Sequence, residues 1–382
     1  MSCKTEKLYY QNAYTSIFVA DVLAVSCVDD RYDVVLDKTA FFPEEGGQTS
    51  DIGFIGDARV SYVYECEGIV HHITDKAPNM GENQCKIDFD DRFVKMQCHT
   101  AEHILCGIIH RLFGFDNVGF HLGDDEVTFD VNGVLDREQL DRVEDIANNV
   151  VFSNMGVETS FPTSDELASI EYRSKLDILE GVRLVRIGDV DICACCAPHV
   201  SSTGEIGVIK ILDFMKHRGG TRIWMTAGKR ALIDYRRRYE NIKKISGMLS
   251  TPQSDVAVTL EGYIADSEEI KASLKAARLK VAEFNAMAVE CTEGNAVILL
   301  TDFTIPELIA FSNIANKRVG GITIALSGTD GDYKYVISSL STDLRAMSKD
   351  INTALCGRGG GRPEMIQGSF ATTIDIIRKY FE

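Results

Sequence analysis

The chain has 382 residues, of which 45% are hydrophobic and 25% charged, and its formal net charge is −17. This length predicts two or three domains, and the composition is typical of a soluble globular protein. No apolar run reaches the roughly 18 residues of a membrane-spanning helix, and the acidity argues against general binding of polyanions. The N-terminus lacks the apolar block of a signal peptide, and the 11 cysteines are odd in number, so we expect a reducing, cytoplasmic location.

Residues 1–90 are predicted to form a small β-barrel, because short apolar-polar alternations are separated by turn residues. The clearest alternation runs from 18 to 24. A loop at 39–48 contains a proline and the pair Gly46 and Gly47, which mark irregular backbone.

Residues 91–232 are predicted to be a mixed unit of helices and strands. One helix begins at Asp91 and ends at Gly114, and another begins at Asp136, where Gln139 completes a capping box. Four strands follow, at 182–187, 190–194, 208–212 and 222–226. Because helices and strands come in blocks, the predicted fold class is α+β.

Residues 233–292 are predicted to be a helical linker, and residues 293–382 a small C-terminal α/β domain. In the latter we expect strands at 296–300 and 321–326 with a helix at 305–315 between them. The linker has apolar residues at the three-four spacing of a coiled-coil seam. The seam residues are Ile270, Leu274, Ala277, Val281, Phe284 and Ala288. Such a seam either closes an internal helical hairpin or joins two copies, and a homodimer through the C-terminal domain is a further option.

Two pairs of metal-type ligands lie far apart in the sequence. His99 and His103 are one turn apart on the first helix, so both imidazoles leave the same face. Cys195 and His199 have the same spacing in a turn that contains Pro198. Three imidazoles and one thiolate form a nitrogen-sulfur set that suits tetrahedral Zn²⁺. The rival ligands are Cys106, His110, Cys193 and Cys196.

Basic residues are concentrated between positions 210 and 244, in an otherwise acidic chain. They form either a solvated helix face or a local contact for a phosphate backbone. The candidates for that contact are Lys216, Arg218, Lys229, Arg230 and Arg222. A second candidate is a glycine run flanked by arginines, whose backbone N–H groups could face phosphate if it is not simply a flexible turn. Its residues are Arg358, Gly359, Gly360, Gly361 and Arg362.

Three stretches, in this order, resemble the editing domain of alanyl-tRNA synthetases. They are Thr39–Gly53, the His99-x-x-x-His103 motif, and Cys195-x-x-x-His199 with the residues up to 207. The chain is more similar to the free-standing relatives of that domain, the long-form alanyl-tRNA trans-editing proteins. The run at 359–363 resembles the small C-terminal domain that these proteins share with the synthetases. The chain departs from the family pattern between the cysteine and histidine of the turn and before the loop glutamine.

This resemblance implies zinc-dependent hydrolysis of the ester in mischarged alanine tRNA, in trans, with serine or glycine as the wrong amino acid. It implies that the Zn²⁺ ligands are His99, His103, Cys195 and His199. It also implies that Thr39 and Gln48 lie beside the amino acid, where a site built for a hydroxyl discriminates serine from alanine. From the residues alone, Thr39 is a turn residue and Gln48 a loop-closing amide. The implied partner is tRNA, with the basic residues along its acceptor stem.

Two other functions fit the same motifs. A closed four-ligand zinc site is normally structural, which would make the protein a non-catalytic tRNA-binding module. The run from His99 to His103 also matches the inverted zinc-peptidase pattern His-x-x-Glu-His, in which Glu102 would be the general base.

Overall fold

The computed structural model describes residues 4–123, 126–174 and 181–382. Helices and several separate sheets make it a mixed α+β protein, which confirms the predicted fold class. The chain divides into two compact units, Met1–Asn241 and Ile242–Glu382. The finer division into four segments stays a prediction. Within the described residues, no helix is both long and apolar enough to cross a membrane.

The first elements of the first unit are β1 Glu6–Lys7, α1 Leu8–Gln11, β2 Ile17–Val28, β3 Arg31–Leu36, β4 Lys38–Thr39, β5 Gly53–Ile55, β6 Ala58–Cys66, β7 Ile69–Thr74 and β8 Gly81–Ile87. Six of these strands form a closed barrel in the order β2-β3-β7-β6-β5-β8, and β1 pairs with β4. Apolar side chains at alternate positions of β2, such as Phe18 and Val22, fill the interior. The register shifts between Val22 and Ala24, and Ala24 is therefore exposed where the alternation predicted an inward residue.

Helix α2, Phe89–Phe113, follows the barrel directly and forms the centre of the first unit. Asp88 caps its N-terminus by accepting a hydrogen bond from the Asp91 N–H, so the helix begins two residues earlier than predicted. Gly114 ends it in the left-handed conformation, at φ 69°, as the sequence indicates. The helix packs against α3, β13 and β15 around one apolar core.

The remaining elements that begin in the first unit follow α2 in the chain. They are β9 Asn117–Leu122, β10 Val127–Val131, α3 Arg137–Phe152, β11 Val157–Ser160, α4 Ser164–Leu167, β12 Leu184–Ile187, β13 Asp191–Ala194, β14 Ile209–His217, β15 Gly220–Ala227 and α5 Gly228–Leu249. Two antiparallel sheets result, in the orders β14-β15-β10-β9 and β11-β12-β13. The capping box of Asp136 and Gln139 is present at the start of α3.

The elements of the second unit are α6 Val256–Met287, β16 Ala296–Leu300, α7 Ile305–Ala315, β17 Thr323–Thr329, β18 Asp332–Ser338, α8 Leu344–Ala354, β19 Gly357–Arg362, β20 Met365–Phe370 and α9 Ile374–Phe381. The strands form one sheet in the order β16-β17-β18-β20-β19. In this sheet β16 and β17 pair in parallel, and the other neighbouring strands pair antiparallel. The sequence predicted β16, α7 and β17 but missed β18, α8 and β20.

The apolar seam of α6 lies on the exposed side of that helix. Ile270, Leu274 and Phe284 are 67%, 58% and 71% exposed, whereas Ala282 and Ala286 on another face are buried with residues of α7. The seam is thus not buried inside one chain as a hairpin would require. Whether it joins two copies stays a prediction.

The glycine run is an edge strand, so the prediction of a flexible turn there is wrong. All its residues pair with β20, from Gly357 opposite Phe370 to Arg362 opposite Met365. A Cβ on Gly359 would overlap the Tyr335 hydroxyl, because β19 packs too closely for a side chain there. An extended strand also does not form the concave nest of N–H groups that the phosphate interpretation needs.

Candidate metal centre

Four metal-type side chains from α2 and from the turn after β13 meet at one point. The Sγ of Cys195 lies 3.3 Å from the Nε2 of His199 and 3.6 Å from the Nε2 of His99. With His103, all four ligand atoms lie within 4.8 Å of one another. Tetrahedral Zn²⁺, with usual bond lengths to sulfur and imidazole, holds these atoms about 3.5 Å apart. The donor set therefore fits Zn²⁺ in both chemistry and spacing.

Two of the imidazoles are held by their other ring nitrogen. His99 Nδ1 lies 2.8 Å from Oε1 of Gln48, and His103 Nδ1 lies 3.1 Å from Oδ2 of Asp191. Both partners are acceptors, so each Nδ1 donates and each Nε2 keeps its lone pair for a metal. Burial opposes ionisation of Asp191, but His103 and Arg173 hold the pKa of that carboxyl below its usual value. Arg173 makes two bonds to it, at 2.7 and 2.8 Å.

The third imidazole is oriented by a hydroxyl on α2. Thr100 donates its proton to the Met96 carbonyl at 2.8 Å, so its oxygen accepts from Nδ1 of His199 at 3.0 Å. Burial lowers the pKa of His199 to about 3, which keeps this imidazole neutral. All three histidines thus direct Nε2 toward the same point.

The cluster also favours a thiolate. Burial raises the pKa of the Cys195 thiol, but His99 and a hydrogen bond from His103 outweigh it and hold that pKa well below its usual value. Burial lowers the pKa of His103, yet Cys193 and Asp191 raise it well above the usual value. Metal binding to this set therefore competes with a proton on His103.

The loop that carries Gln48 is shaped by two glycines in the left-handed region. Gly46 has φ 62° and Gly47 has φ 84°. A Cβ on Gly47 would overlap the backbone oxygen of Phe120, and the Leu122 N–H donates to the Gly47 carbonyl at 2.7 Å. Gln48 is fully buried, and its Nε2 has no partner among the described residues. The amide therefore has unused donors beside His99.

Two cationic residues of α2 anchor the same loop. The fully buried Arg92 pairs with the buried Asp51 through several hydrogen bonds, one of them 2.9 Å long, and donates to the Ala40 carbonyl at 2.6 Å. Lys95 donates to the Ser50 carbonyl at 2.7 Å. These bonds fix the position of the helix that carries the histidines relative to the loop that carries the glutamine.

Thr39, at the end of β4, is buried, and its hydroxyl already has partners. His72 uses Nδ1 to donate to the Val34 carbonyl at 3.0 Å, so its Nε2 accepts from the Thr39 hydroxyl at 2.9 Å. The Phe41 N–H donates to the same oxygen at 3.1 Å. A contact between Thr39 and a substrate hydroxyl would have to replace one of these bonds or use the remaining lone pair.

The four alternative metal ligands named from the sequence have other partners or neighbours. Cys106 donates to Glu102 at 3.2 Å, and the exposed His110 pairs with Asp116 at 2.9 Å. Cys196 lies against Gly46. Cys193 joins His103 and Asp191 in a second, overlapping group of metal-type atoms.

The predicted tRNA-binding residues of the first unit are not equally available. Arg222 makes two 2.7 Å bonds to Asp130, and Lys229 lies 3.3 Å from Asp90, so both charges are partly compensated. Lys216 and Arg218 are exposed near the turn between β14 and β15. Arg230 is partly buried, with one guanidinium nitrogen unpartnered among the described residues. Their contact with tRNA stays a prediction.

Sequence reasoning missed three residues at this centre. Asp191 and Thr100 orient ligands, and Arg183 donates to the backbone of the Cys195 turn at 2.9 Å. Each comes from a segment remote in sequence from the side chain or turn that it supports. A single acid, hydroxyl or guanidinium in an ordinary helix or strand gives no signal in the sequence.

Several known proteins are similar to this chain in sequence. Residues 182–229, which include the Cys195–His199 turn, match the model described as the threonyl and alanyl tRNA synthetase second additional domain. The chain is 26% identical, over 95% of its length, to the alanyl-tRNA editing protein AlaX-L of Pyrococcus horikoshii and covers 94% of that protein. The predicted resemblance to the long-form alanyl-tRNA editing proteins is therefore confirmed.

Longer relatives and one solved structure are also similar. The chain is 32% identical to the alanine–tRNA ligase of Natronomonas pharaonis over 96% of its own length, but it spans only 42% of that ligase. The ligase of Halorubrum lacusprofundi gives 31% identity with the same shares. The C-Ala domain of Aquifex aeolicus alanyl-tRNA synthetase matches 22% of this chain and 86% of the domain, at 16% identity and a TM-score of 0.20.

Proposed function

We propose that this protein is a zinc-dependent deacylase that hydrolyses the aminoacyl ester of mischarged alanine tRNA in trans. The observation that carries the proposal is the convergence of three oriented imidazoles and one thiolate beside the Gln48 amide, whose nitrogen has no partner among the described residues. The similarity to an alanyl-tRNA editing protein over nearly the whole chain supports tRNA as the partner. A cytoplasmic location follows from the same proposal.

The zinc ligands in this proposal are His99, His103, Cys195 and His199, and bound Zn²⁺ would polarise the ester carbonyl and lower the pKa of a water to about 7. The remaining roles belong to the chain itself. Gln48 has one amide oxygen on His99 and unused N–H donors, which are suited to orient an ester carbonyl oxygen. Asp191 and Thr100 hold their imidazoles in the ligating tautomer.

Serine is the preferred wrong amino acid in this proposal, and glycine the second. Thr39 stays the residue proposed to contact a serine hydroxyl, although its own hydroxyl is bonded to His72. A site that pairs with the substrate hydroxyl loses that pairing with alanine, which would spare correctly charged tRNA.

The test is a deacylation assay with serine, glycine and alanine esters on one alanine tRNA. We expect release of serine, little release of alanine, and loss of activity in His103→Ala. His110→Ala is the matched control, because this imidazole lies on the same helix but is exposed and paired with Asp116. Undiminished activity after thorough removal of zinc would contradict the role of the metal.

A non-catalytic tRNA-binding module is the second candidate, because four protein ligands normally make a structural zinc site. It predicts that chelation of zinc unfolds the first unit and that the intact protein binds tRNA without deacylating it.

The inverted zinc-peptidase hypothesis is less consistent with the structure. Glu102 is buried and accepts hydrogen bonds from Asn117 and Cys106, so it is engaged away from the ligand atoms. The peptidase hypothesis would be supported if the protein cleaved peptides and the Glu102→Gln variant did not.

A further inference from the structure

Two buried polar groups beside the ligand turn have no assigned task. Arg183, only 6% exposed, donates from Nη1 to the carbonyls of Cys195 and Ala197, both at 2.9 Å. Its Nε has no hydrogen-bond partner in the described part of the chain. Tyr9 is 1% exposed, and its hydroxyl is likewise unpartnered there. Buried donors without partners are rare because they lose their bonds to water.

Aromatic rings border these groups. The guanidinium carbon of Arg183 lies 5.5 Å from the centre of the Tyr10 ring, and Tyr9 meets Tyr10 edge to face at 4.7 Å. The centres of the Phe161 and Tyr10 rings are 5.4 Å apart, and Phe161 is 54% exposed. A cation, a hydroxyl and a partly exposed aromatic surface therefore lie together next to the Cys195 turn.

The charges around this cluster leave Arg183 free for an anion. Glu65, the acid near the rings, is paired with Lys7 at 2.7 Å. Among the described residues, no carboxylate forms an ion pair with Arg183; its acceptors are backbone carbonyls. A buried guanidinium whose Nε has no partner matches a phosphate, which accepts from adjacent N–H groups of an arginine.

We infer that Tyr9, Tyr10, Phe161 and Arg183 bind the 3′-terminal nucleotide of the tRNA, with its phosphate at Arg183 and Tyr9 and its base against the aromatic rings. This inference rests on the proposed function. The phosphate and the aminoacyl ester are attached to the same ribose, so the phosphate site has to adjoin the reaction centre. Arg183 meets this requirement through its bond to the ligand residue Cys195. An amino-acid carboxylate does not explain the site, because that group is esterified in the substrate.

Binding of adenosine 5′-monophosphate to the full-length zinc-loaded protein, measured by calorimetry, tests the inference without catalysis. We expect tighter binding than for adenosine or inorganic phosphate alone, and about tenfold weaker binding after Tyr10→Ala, which removes a stacking surface. Phe161→Ala should also weaken binding. Phe152→Ala, which removes another exposed ring of the same unit, should leave it unchanged.

Tyr9→Phe separates the site from general stability. It keeps the ring and removes only an unpartnered buried hydroxyl, so the fold should be as stable as before or more so while nucleotide binding weakens. Equal binding of the nucleotide by wild type, Tyr9→Phe and Tyr10→Ala would overturn the inference, as would no binding by the wild type.

Deacylation kinetics distinguish this inference from the proposed function. If the wild type deacylates the tRNA and the KM is unchanged in Tyr9→Phe and Tyr10→Ala, the nucleotide site is wrong and the deacylase stands. If the wild type binds the nucleotide through these residues but releases no amino acid, the nucleotide site stands and the deacylase is wrong.

Discussion

Helices α2 and α6 distribute polar and apolar residues in opposite ways. Helix α2, in the first unit, buries cationic, acidic and metal-type side chains, including Arg92, Lys95, His99, Glu102 and His103. Helix α6, in the second unit, leaves Leu274 and Phe284 more than half exposed. Both departures from the usual pattern carry information, because a buried polar group needs a specific partner and an exposed apolar row keeps at least half of its contact with water.

The difference between the two helices shows which side chains are held in place by specific partners. Each charged or metal-type side chain named on α2 has at least one partner outside the helix at hydrogen-bond distance. The apolar row of α6 has no comparable set of contacts, and its predicted role as a seam between two copies is open. We therefore expect large effects from changes on α2 and its surroundings and small ones on the seam.

The largest effect on stability is expected from Arg92→Ala. This change leaves Asp51 buried without its counter-charge, which costs about 3–5 kcal/mol of the free energy of unfolding. Urea denaturation measures it. Arg137→Ala, which breaks an exposed pair with Asp141, is the control and should cost less than about 1 kcal/mol. If both variants lost a similar amount of the free energy of unfolding, the buried Arg92–Asp51 pair would contribute no more to stability than an exposed pair.

A pH effect is expected next, at His72 in the barrel. Burial lowers its pKa to about 4 from an ordinary 6.5, so the unfolded chain binds a proton in this range and the folded chain does not. Its contribution to stability is complete above pH 6.5 and falls by about 3 kcal/mol as the pH decreases to 4. Urea titrations at several pH values should show a shallower dependence in His72→Gln but not in His110→Gln. The same slope in His72→Gln and wild type would contradict this origin.

The orientation of the ligands gives a third, smaller effect. Asp191→Asn weakens the acceptor for His103 Nδ1, so zinc affinity should fall about 10- to 100-fold. Competition with a chelator measures the affinity. Asp189→Asn, an exposed acid two residues away, is the control. Unchanged affinity in Asp191→Asn would mean that the carboxylate serves Arg173 alone.

The smallest effect is expected on the seam of α6. Leu274→Gln should change the free energy of unfolding by less than about 0.5 kcal/mol at low protein concentration, because this side chain is exposed. Lys275→Gln, at the next position of the same helix, is the control. A large loss of stability that grows with protein concentration would instead show that the seam joins two copies.

The sequence was sufficient for those features that depend on local spacing. The four-residue spacings of His99 with His103 and of Cys195 with His199 were visible, and α2, α3 and α7 follow from periodicity and caps. The partners of the imidazoles were not visible, because Asp191 and Thr100 meet them only in the folded chain.

The failures have a physical reason too. The glycines at 359–361 resemble a turn by composition, yet Gly359 and Gly361 serve close packing of β19 against β20, and Gly359 also packs against Tyr335, which no local pattern reveals. Arg183 was overlooked because its unpartnered Nε becomes apparent only once the turn of Cys195 is folded around it.

The bonds that anchor the glutamine loop limit where gene segments of related proteins can be joined. Three links cross the junction near residue 90, from Arg92, Lys95 and His99 to the segment Ser50, Asp51 and Gln48. A chimera that takes its barrel from one relative and its metal helix from another would have to inherit both sides of all three links. Shuffling of gene segments in this protein should therefore fail at a crossover near residue 90 unless both sides come from the same relative.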